Sequence, residues 1–209
     1  MMHTLNELTG GGMMRENGSA ILVTGYKAHE LGIFSRDHPG IQVIRYALKK
    51  KMREYVEDGA QWFVISGQTG VELWAGQACL ELRDSDQLNV NLAVLMPFLN
   101  QEEHYKEWQQ EIYAQILEGA DYTGYISKRP YESPVQLRQK NEFLVAKTDA
   151  MLIIYDEESP GSPNYSLSVA KRKARSTAYP IQAINRFDLD FAAEDLLQQN
   201  PDYWTNNDA

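Results

Sequence analysis

The stretch Val64-Ile65-Ser66-Gly67-Gln68-Thr69-Gly70-Val71-Glu72 passes from an apolar run, through two glycines bracketing small polar residues, to a carboxylate. A helical pattern follows it. A buried parallel strand running into a helix N-terminus has this form. Such a turn leaves backbone N–H groups without intrahelical acceptors at the positively polarised end of the helix, so it can hold a phosphate. Glu72 beside it is placed to act as a ribose ligand or a general base. Gly-x-x-Gly alone is a weak signal, because glycines serve strand–helix turns for conformational reasons. The flanking elements decide its meaning.

Outward from this turn, apolar runs alternate with helical patterns almost to the end of the chain. The pattern predicts strands over 20–24, 62–66, 92–96, 122–126, 151–155 and Ile181–Ile184. Several lack polar alternation, as expected of strands covered on both faces. Helices are predicted over 41–57, 71–82, 103–117, 134–146 and 166–175. In the first of these, Val43, Ala47, Leu48, Met52, Tyr55 and Val56 form an apolar stripe at helical spacing. Glu57-Asp58-Gly59-Ala60 and Glu118-Gly119-Ala120-Asp121 read as helix stops. Strands separated by helices indicate right-handed βαβ units. The expected class is α/β: a doubly wound, mostly parallel sheet with helices on both faces, in a single domain.

The chain has 209 residues, 43% hydrophobic and 23% charged, enough for one well-buried domain. Its formal net charge of −9 argues against general attraction to nucleic acid or anionic membrane. Lys171, Arg172, Lys173 and Arg175 read as a solvated helix face. Cys79 is the only cysteine, so no intrachain disulfide and no cysteine-rich metal site is expected. No apolar run approaches the ~20 residues that span a bilayer. Residues 1–19 lack the apolar centre of a signal peptide, and the expected location is cytoplasmic. They read as a flexible N-terminal extension. Residues 189–209 read as an acidic, polar C-terminal tail that frays.

Ligands of open parallel sheets bind outside the strand carboxyl ends. After the first strand, Gly25 can let backbone approach a ligand, Tyr26 can stack on a base and Lys27 can meet a phosphate. After the second comes the opening turn, with Gly67, Gln68, Thr69 and Gly70 as phosphate donors and Glu72 behind them. After the third, Met96-Pro97-Phe98 leads toward Tyr105 and Trp108. Gly161 and Ser162, after the fifth, offer a second anion site. Before the fourth long helix, Arg129 can clamp a phosphate or carboxylate, and Ser133-Pro134 fits an N-cap with proline at N1. Arg138, Gln139 and Asn141 are polar helix positions of undetermined direction. His3, His29, His38 and His104 show no metal spacing, and no metal is expected. There is no Gly-x-Ser-x-Gly elbow, no Walker lysine, and no Gly-x-Gly-x-x-Gly after the first strand.

Thr24-Gly25-Tyr26-Lys27, Glu30-Leu31-Gly32-Ile33-Phe34 and Ile65-Ser66-Gly67-Gln68-Thr69-Gly70-Val71-Glu72-Leu73-Trp74 together resemble the YpsA-like family of Firmicutes. Arg129-Pro130-Tyr131-Glu132-Ser133-Pro134, Gln139-Lys140-Asn141 and Gly161-Ser162-Pro163 continue the resemblance over residues 20–188. It implies a Rossmann-like domain of the SLOG superfamily, whose relatives include DprA, molybdenum-cofactor carriers and LOG-type phosphoribohydrolases. It also implies nucleotide binding through Gly67, Gly70 and Glu72, and an association with cell division and stress in Gram-positive bacteria. The LOG enzymes carry Pro-Gly-Gly-x-Gly-Thr-x-x-Glu, where this chain reads Gly161-Ser162-Pro163-Asn164-Tyr165. The glycine run and its glutamate are missing.

The expected function is binding or sensing of a nucleotide-like ligand, with NAD or an ADP-ribose derivative as candidates. A homodimer and a division-machinery protein are candidate partners. The enzyme alternative is hydrolysis of a nucleotide N-glycosidic bond with Glu72 as the catalytic residue. A DprA-like single-stranded nucleic-acid binder is the third alternative, and the net charge weighs against it. On this reading Glu72 serves the ligand and is dispensable to the unliganded fold.

Overall fold

A computed structural model describes residues 19–199; residues 1–18 and 200–209, which hold most of the expected extension and the end of the expected tail, lie outside them. Six strands form one parallel sheet: β1 (Ser19–Thr24), β2 (Ala60–Ile65), β3 (Asn91–Met96), β4 (Tyr122–Tyr125), β5 (Ala150–Ile154) and β6 (Ile181–Ile184). Their spatial order is β4-β3-β2-β1-β5-β6. The order therefore reverses between β1 and β5, and a crevice opens there at the strand carboxyl ends.

Among the described residues six α-helices flank the sheet: α1 (Gly40–Glu57), α2 (Val71–Asp84), α3 (Glu107–Gly119), α4 (Pro134–Lys147), α5 (Pro163–Ala174) and α6 (Arg186–Gln199). Helices α1, α2 and α3 pack in succession, and α6 lies against α1; α4 and α5 pack together. Right-handed crossovers put these two groups on opposite faces of the sheet. Both faces are thereby covered, so the central strands are apolar on both sides: Ile21, Leu22, Phe63, Val64, Leu92, Val94, Met151 and Leu152 are all buried. Trp74 on α2 and Leu48 and Met52 on α1 fill the space beneath. This is the expected α/β, Rossmann-like, doubly wound architecture.

Two helix starts differ from expectation. α3 begins at Glu107, because Asn100 adopts a left-handed conformation, a short 3-10 turn covers Gln101–His104, and Tyr105 and Lys106 are extended. Gln109 Oε1 then accepts the Lys106 N–H at 3.1 Å, which caps the helix. α5 begins earlier, at Pro163, whose missing N–H and fixed φ suit the first helical position.

The larger correction concerns the end of the domain. Residues 186–199, most of them expected to fray, form α6. Asn185 Oδ1 accepts the N–H of Phe187 at 2.8 Å and of Asp188 at 3.2 Å, so the helix is capped. Ala192 is buried, with Leu189, Ala193 and Leu196 packed beside it, and Lys50 of α1 pairs with Asp195 at 2.8 Å. The high charge of the segment hides a narrow apolar stripe. Among the described residues no helix is long and apolar enough to cross a membrane.

Docking of α6 predicts a contrast measurable by urea denaturation. Ala192→Asp should cost on the order of 2 kcal/mol by burying an unpaired carboxylate, whereas Phe191→Ala, on the exposed face, should change stability by less than ~0.5 kcal/mol. Equal, negligible effects would mean that the helix contributes nothing to the fold.

Candidate functional site

β1 and β2 run in register, with Leu22 opposite Val64, and so deliver Thr24 and Ser66 to the same level of the sheet edge. Between them lies the carboxylate of Glu72, 3% exposed, one residue into α2. Its Oε1 accepts the Thr24 hydroxyl at 2.9 Å. Its Oε2 accepts the Ser66 N–H at 2.7 Å, the Ser66 hydroxyl at 2.6 Å and the Gln68 N–H at 3.3 Å. Four donors satisfy a buried charge that would otherwise be prohibitively costly. Glu72 therefore holds two strand ends and the turn together, with both oxygens engaged inside the protein.

The glycines permit this closeness. Gly70 has φ +91, and a Cβ there would stand 2.5 Å from the Tyr26 carbonyl oxygen and the Ala28 nitrogen. The Tyr26 carbonyl accepts the Val71 N–H at 3.0 Å. A Cβ on Gly25 would meet the Val71 side chain at 2.7 Å. The loop after β1 is thus laid directly over the N-terminus of α2. Gln68 and Val71 spend their N–H groups inside the protein, while those of Gly67, Thr69 and Gly70 have no acceptor among the described residues.

Tyr26 does not offer its ring to a base. It is buried, stacks with Tyr155 at 6.3 Å between centroids, and its hydroxyl donates to the Ser159 carbonyl at 2.6 Å while accepting the Asp156 N–H at 2.9 Å. It fastens the β1 loop to the β5 loop. The second glycine turn is also occupied. Glu30 accepts the Ser162 N–H at 2.7 Å, the Ser162 hydroxyl at 2.6 Å and the Lys27 N–H at 2.8 Å. A Cβ on Gly161 would strike Glu30 Oε1 at 2.7 Å. Partial burial would raise the Glu30 pKa, but the bonds from Ser162 and Lys27 outweigh it and hold the carboxyl below its ordinary value. Arg129 stands apart: its side chain is 75% exposed, 3.8 Å from Glu132, and lines neither cavity described next.

Two cavities open along the edge. The larger, about 510 Å³, is walled by Phe34, Phe98, Tyr105 and Tyr131 and floored by Thr69 and Gln101. The smaller, about 110 Å³, lies in the β1/β5 crevice between Thr24, Gly25, Lys140, Asn141 and Ser166. Lys27, Gln68 and Leu137 line both.

The smaller cavity shows what sequence reading missed. Gln136, Lys140 and Asn141 of α4 are buried, whereas Arg138 and Gln139 face solvent. Lys140, 4% exposed, donates to Gln68 Oε1 at 3.1 Å. Burial lowers its pKa, Lys27 lowers it further, and Glu72 opposes both. The available signal was the spacing: 136, 140, 141, 144 and 145 form one helical face, polar near the sheet edge and apolar at Leu144 and Val145 beneath it.

A family model described as the YspA SLOG family matches residues 21–189. Among curated relatives, a UPF0398 protein of Halalkalibacterium halodurans is 49% identical over 175 residues, covering 84% of this chain and 92% of that one. A UPF0398 protein of Bacillus thuringiensis (strain Al Hakam) is 46% identical over 186 residues, covering 89% and 97%. Among solved structures, DNA processing protein A from Helicobacter pylori, described with a single-stranded DNA binding mode, matches with a TM-score of 0.49 and 15% identity, covering 87% of this chain and 82% of that one. At that distance it bears on no ligand of this chain.

The geometry of Glu72 predicts that Glu72→Ala lowers unliganded stability by about 3–5 kcal/mol in urea denaturation, because four donors lose a buried acceptor. Thr24→Val should cost only about 1 kcal/mol. An unliganded Glu72→Ala protein as stable as the parent would contradict the bracing role. For Glu30 the folded pKa lies below the unfolded one, so its contribution is complete above the ordinary carboxyl pKa of about 4.3 and is lost as pH falls through the folded value. The stability difference between the parent and Glu30→Gln should therefore be constant near neutrality and shrink below about pH 4. A difference that grew on acidification would reverse the assignment.

Proposed function

The chain belongs to the YspA SLOG family, and on that premise we propose that it binds a nucleotide-like ligand of the NAD or ADP-ribose class, as a sensing protein rather than a hydrolase. The observation that carries this reading is the pair of adjacent cavities at the sheet's carboxyl edge, which share Lys27, Gln68 and Leu137. An aromatic cavity of about 510 Å³ is of ordinary size for a small-molecule site, and beside it, across Lys27, Gln68 and Leu137, lies a polar crevice at the switch in strand order. A planar base suits the ring-lined part, and a charged group suits the part that carries lysine. Gln101 adds a specific feature. Its Nε2 donates to the Ser66 carbonyl at 2.9 Å, while its Oε1 is buried without a donor.

Hydrolysis of an N-glycosidic bond needs a carboxylate free to take or give a proton near the anomeric carbon. Glu72 has both oxygens engaged within the protein, so its role in this reading is positioning. The net charge of −9 sets a small ligand, gathered by two lysines, ahead of a nucleic-acid strand. The physiological side of the proposal is a link to cell division or stress in a Gram-positive cytoplasm, through a division-machinery partner or a homodimer. It rests on the family resemblance alone.

Thermal shift and calorimetry of the full chain with AMP, ADP, ADP-ribose and NAD test the reading, with chromatography for released base. At least one nucleotide should raise the melting temperature by several degrees at about 100-fold excess over its Kd, with no base released. Tyr131→Ala should weaken that binding about 3- to 10-fold. No shift with any nucleotide would end the proposal, and base release would replace it with the hydrolase.

A further inference from the structure

The crevice cavity holds a cation that the fold does not neutralise at close range. Lys140 lies on the buried face of α4, 4% exposed, and its one hydrogen-bond acceptor is the neutral Oε1 of Gln68. An ammonium has three donors, so two remain. Lys27 lines the same cavity from the loop above. Asn141 gives its Oδ1 to the Ser166 hydroxyl at 2.9 Å, which sets the amide so that its Nδ2 is left as a donor. Among the described residues no carboxylate side chain lines this cavity. Glu72, whose charge acts on Lys140, accepts hydrogen bonds from Thr24, Ser66 and Gln68, and Glu30 accepts them from Ser162 and Lys27.

Burying a lysine against a neutral partner is costly, and so is bringing a second lysine to the same pocket. Burial lowers the Lys140 pKa, Glu72 opposes that and Lys27 adds to it, and an anion bound in the crevice would favour the charged ammonium. The volume, about 110 Å³, equals roughly three or four waters at ~30 Å³ each, room for one phosphate-sized group.

We propose that this crevice is a phosphate subsite, with Lys140 as its central charged ligand and Lys27 and Asn141 completing it, for a nucleotide whose base and ribose occupy the adjoining aromatic cavity. The subsite rests on the nucleotide-binding reading above and places the anion at the lysines of the crevice, apart from the Gln68 and Ser162 N–H groups that serve Glu72 and Glu30. Lys27 and Gln68, shared by the two cavities, mark where the sugar passes into the phosphate.

The test is calorimetric titration of the full chain with each of the four common nucleosides, with its 5′-monophosphate, and with inorganic phosphate alone. The parent should bind its preferred monophosphate at least ~10-fold more tightly than the matching nucleoside, the scale of one or two charge-assisted hydrogen bonds. Lys140→Met, similar in length and uncharged, should erase that ratio while leaving nucleoside affinity within about threefold. Inorganic phosphate should compete with the monophosphate in the parent. Lys27→Gln, on the half-buried loop, should reduce the same ratio by a smaller factor, and it decides the matter if Lys140→Met does not fold. A ratio retained in the folded lysine variants would overturn the subsite while leaving nucleotide binding intact. Absence of all nucleoside and nucleotide binding to the parent would remove the functional reading itself, and this subsite with it.

Discussion

Glu72 places a full negative charge in a position closed to solvent, and the carboxyl edge of the sheet is arranged to satisfy it. The donors come from two separate pieces of chain: the end of β1, and the segment that runs from the end of β2 into the turn before α2. Because each bond to a buried charge must be kept, these pieces have little freedom relative to one another. The glycine requirement follows from the same closeness. Gly70 must lack a Cβ because the Tyr26–Ala28 backbone lies against it, and Gly25 because Val71 does. Tyr26 then carries the constraint across to the β5 loop through Ser159 and Asp156. A rigid rim results, on which the positions of Lys27 and Gln68 are set.

The rim also sorts charges. Both glycine turns are the kind of place where an external phosphate is often held, and in this protein both already serve an internal carboxylate. Glu72 takes donors of the first and Glu30 those of the second. The lysines are left over. Lys140 rises from α4 into the crevice between β1 and β5, held by Gln68, while Gln136 one turn earlier secures the preceding loop through Ser127 and the Pro130 carbonyl. Internal carboxylates on the glycine turns and two lysines in the crevice, neither in a salt bridge among the described residues, are the basis of the phosphate subsite proposed beside the aromatic cavity.

Much of this architecture was legible in the sequence, because the central strands are apolar runs and most long helices have a clean start or end. Ser133-Pro134 and Gly119 are such signals, and they place their elements within a few residues. α6 was not legible. Its apolar positions are spaced among aspartates and glutamates, and only contact with α1 reveals which side of it is buried. The site was legible in part. The glycines of both turns, with Glu72, sit on the ligand edge as their place after strands requires. Their partners were hidden, because a sequence shows that a carboxylate follows a glycine turn but not that Thr24 and Ser66 are waiting for it. Lys140 was hidden for a related reason: hydrophobic periodicity finds buried faces by their apolar residues, and this face is polar where it meets the cavity.

The most direct measurement of the central claim is a crystal structure of the full chain soaked with its tightest-binding nucleotide. The account predicts phosphate density within hydrogen-bonding reach of Lys140 Nζ in the β1/β5 crevice, with the base among Phe98, Tyr105 and Tyr131. It also predicts Glu72 still accepting from Thr24 and Ser66, as it does without ligand. Phosphate density on the glycine turns, with Glu72 turned from those donors onto a ribose hydroxyl, would contradict it.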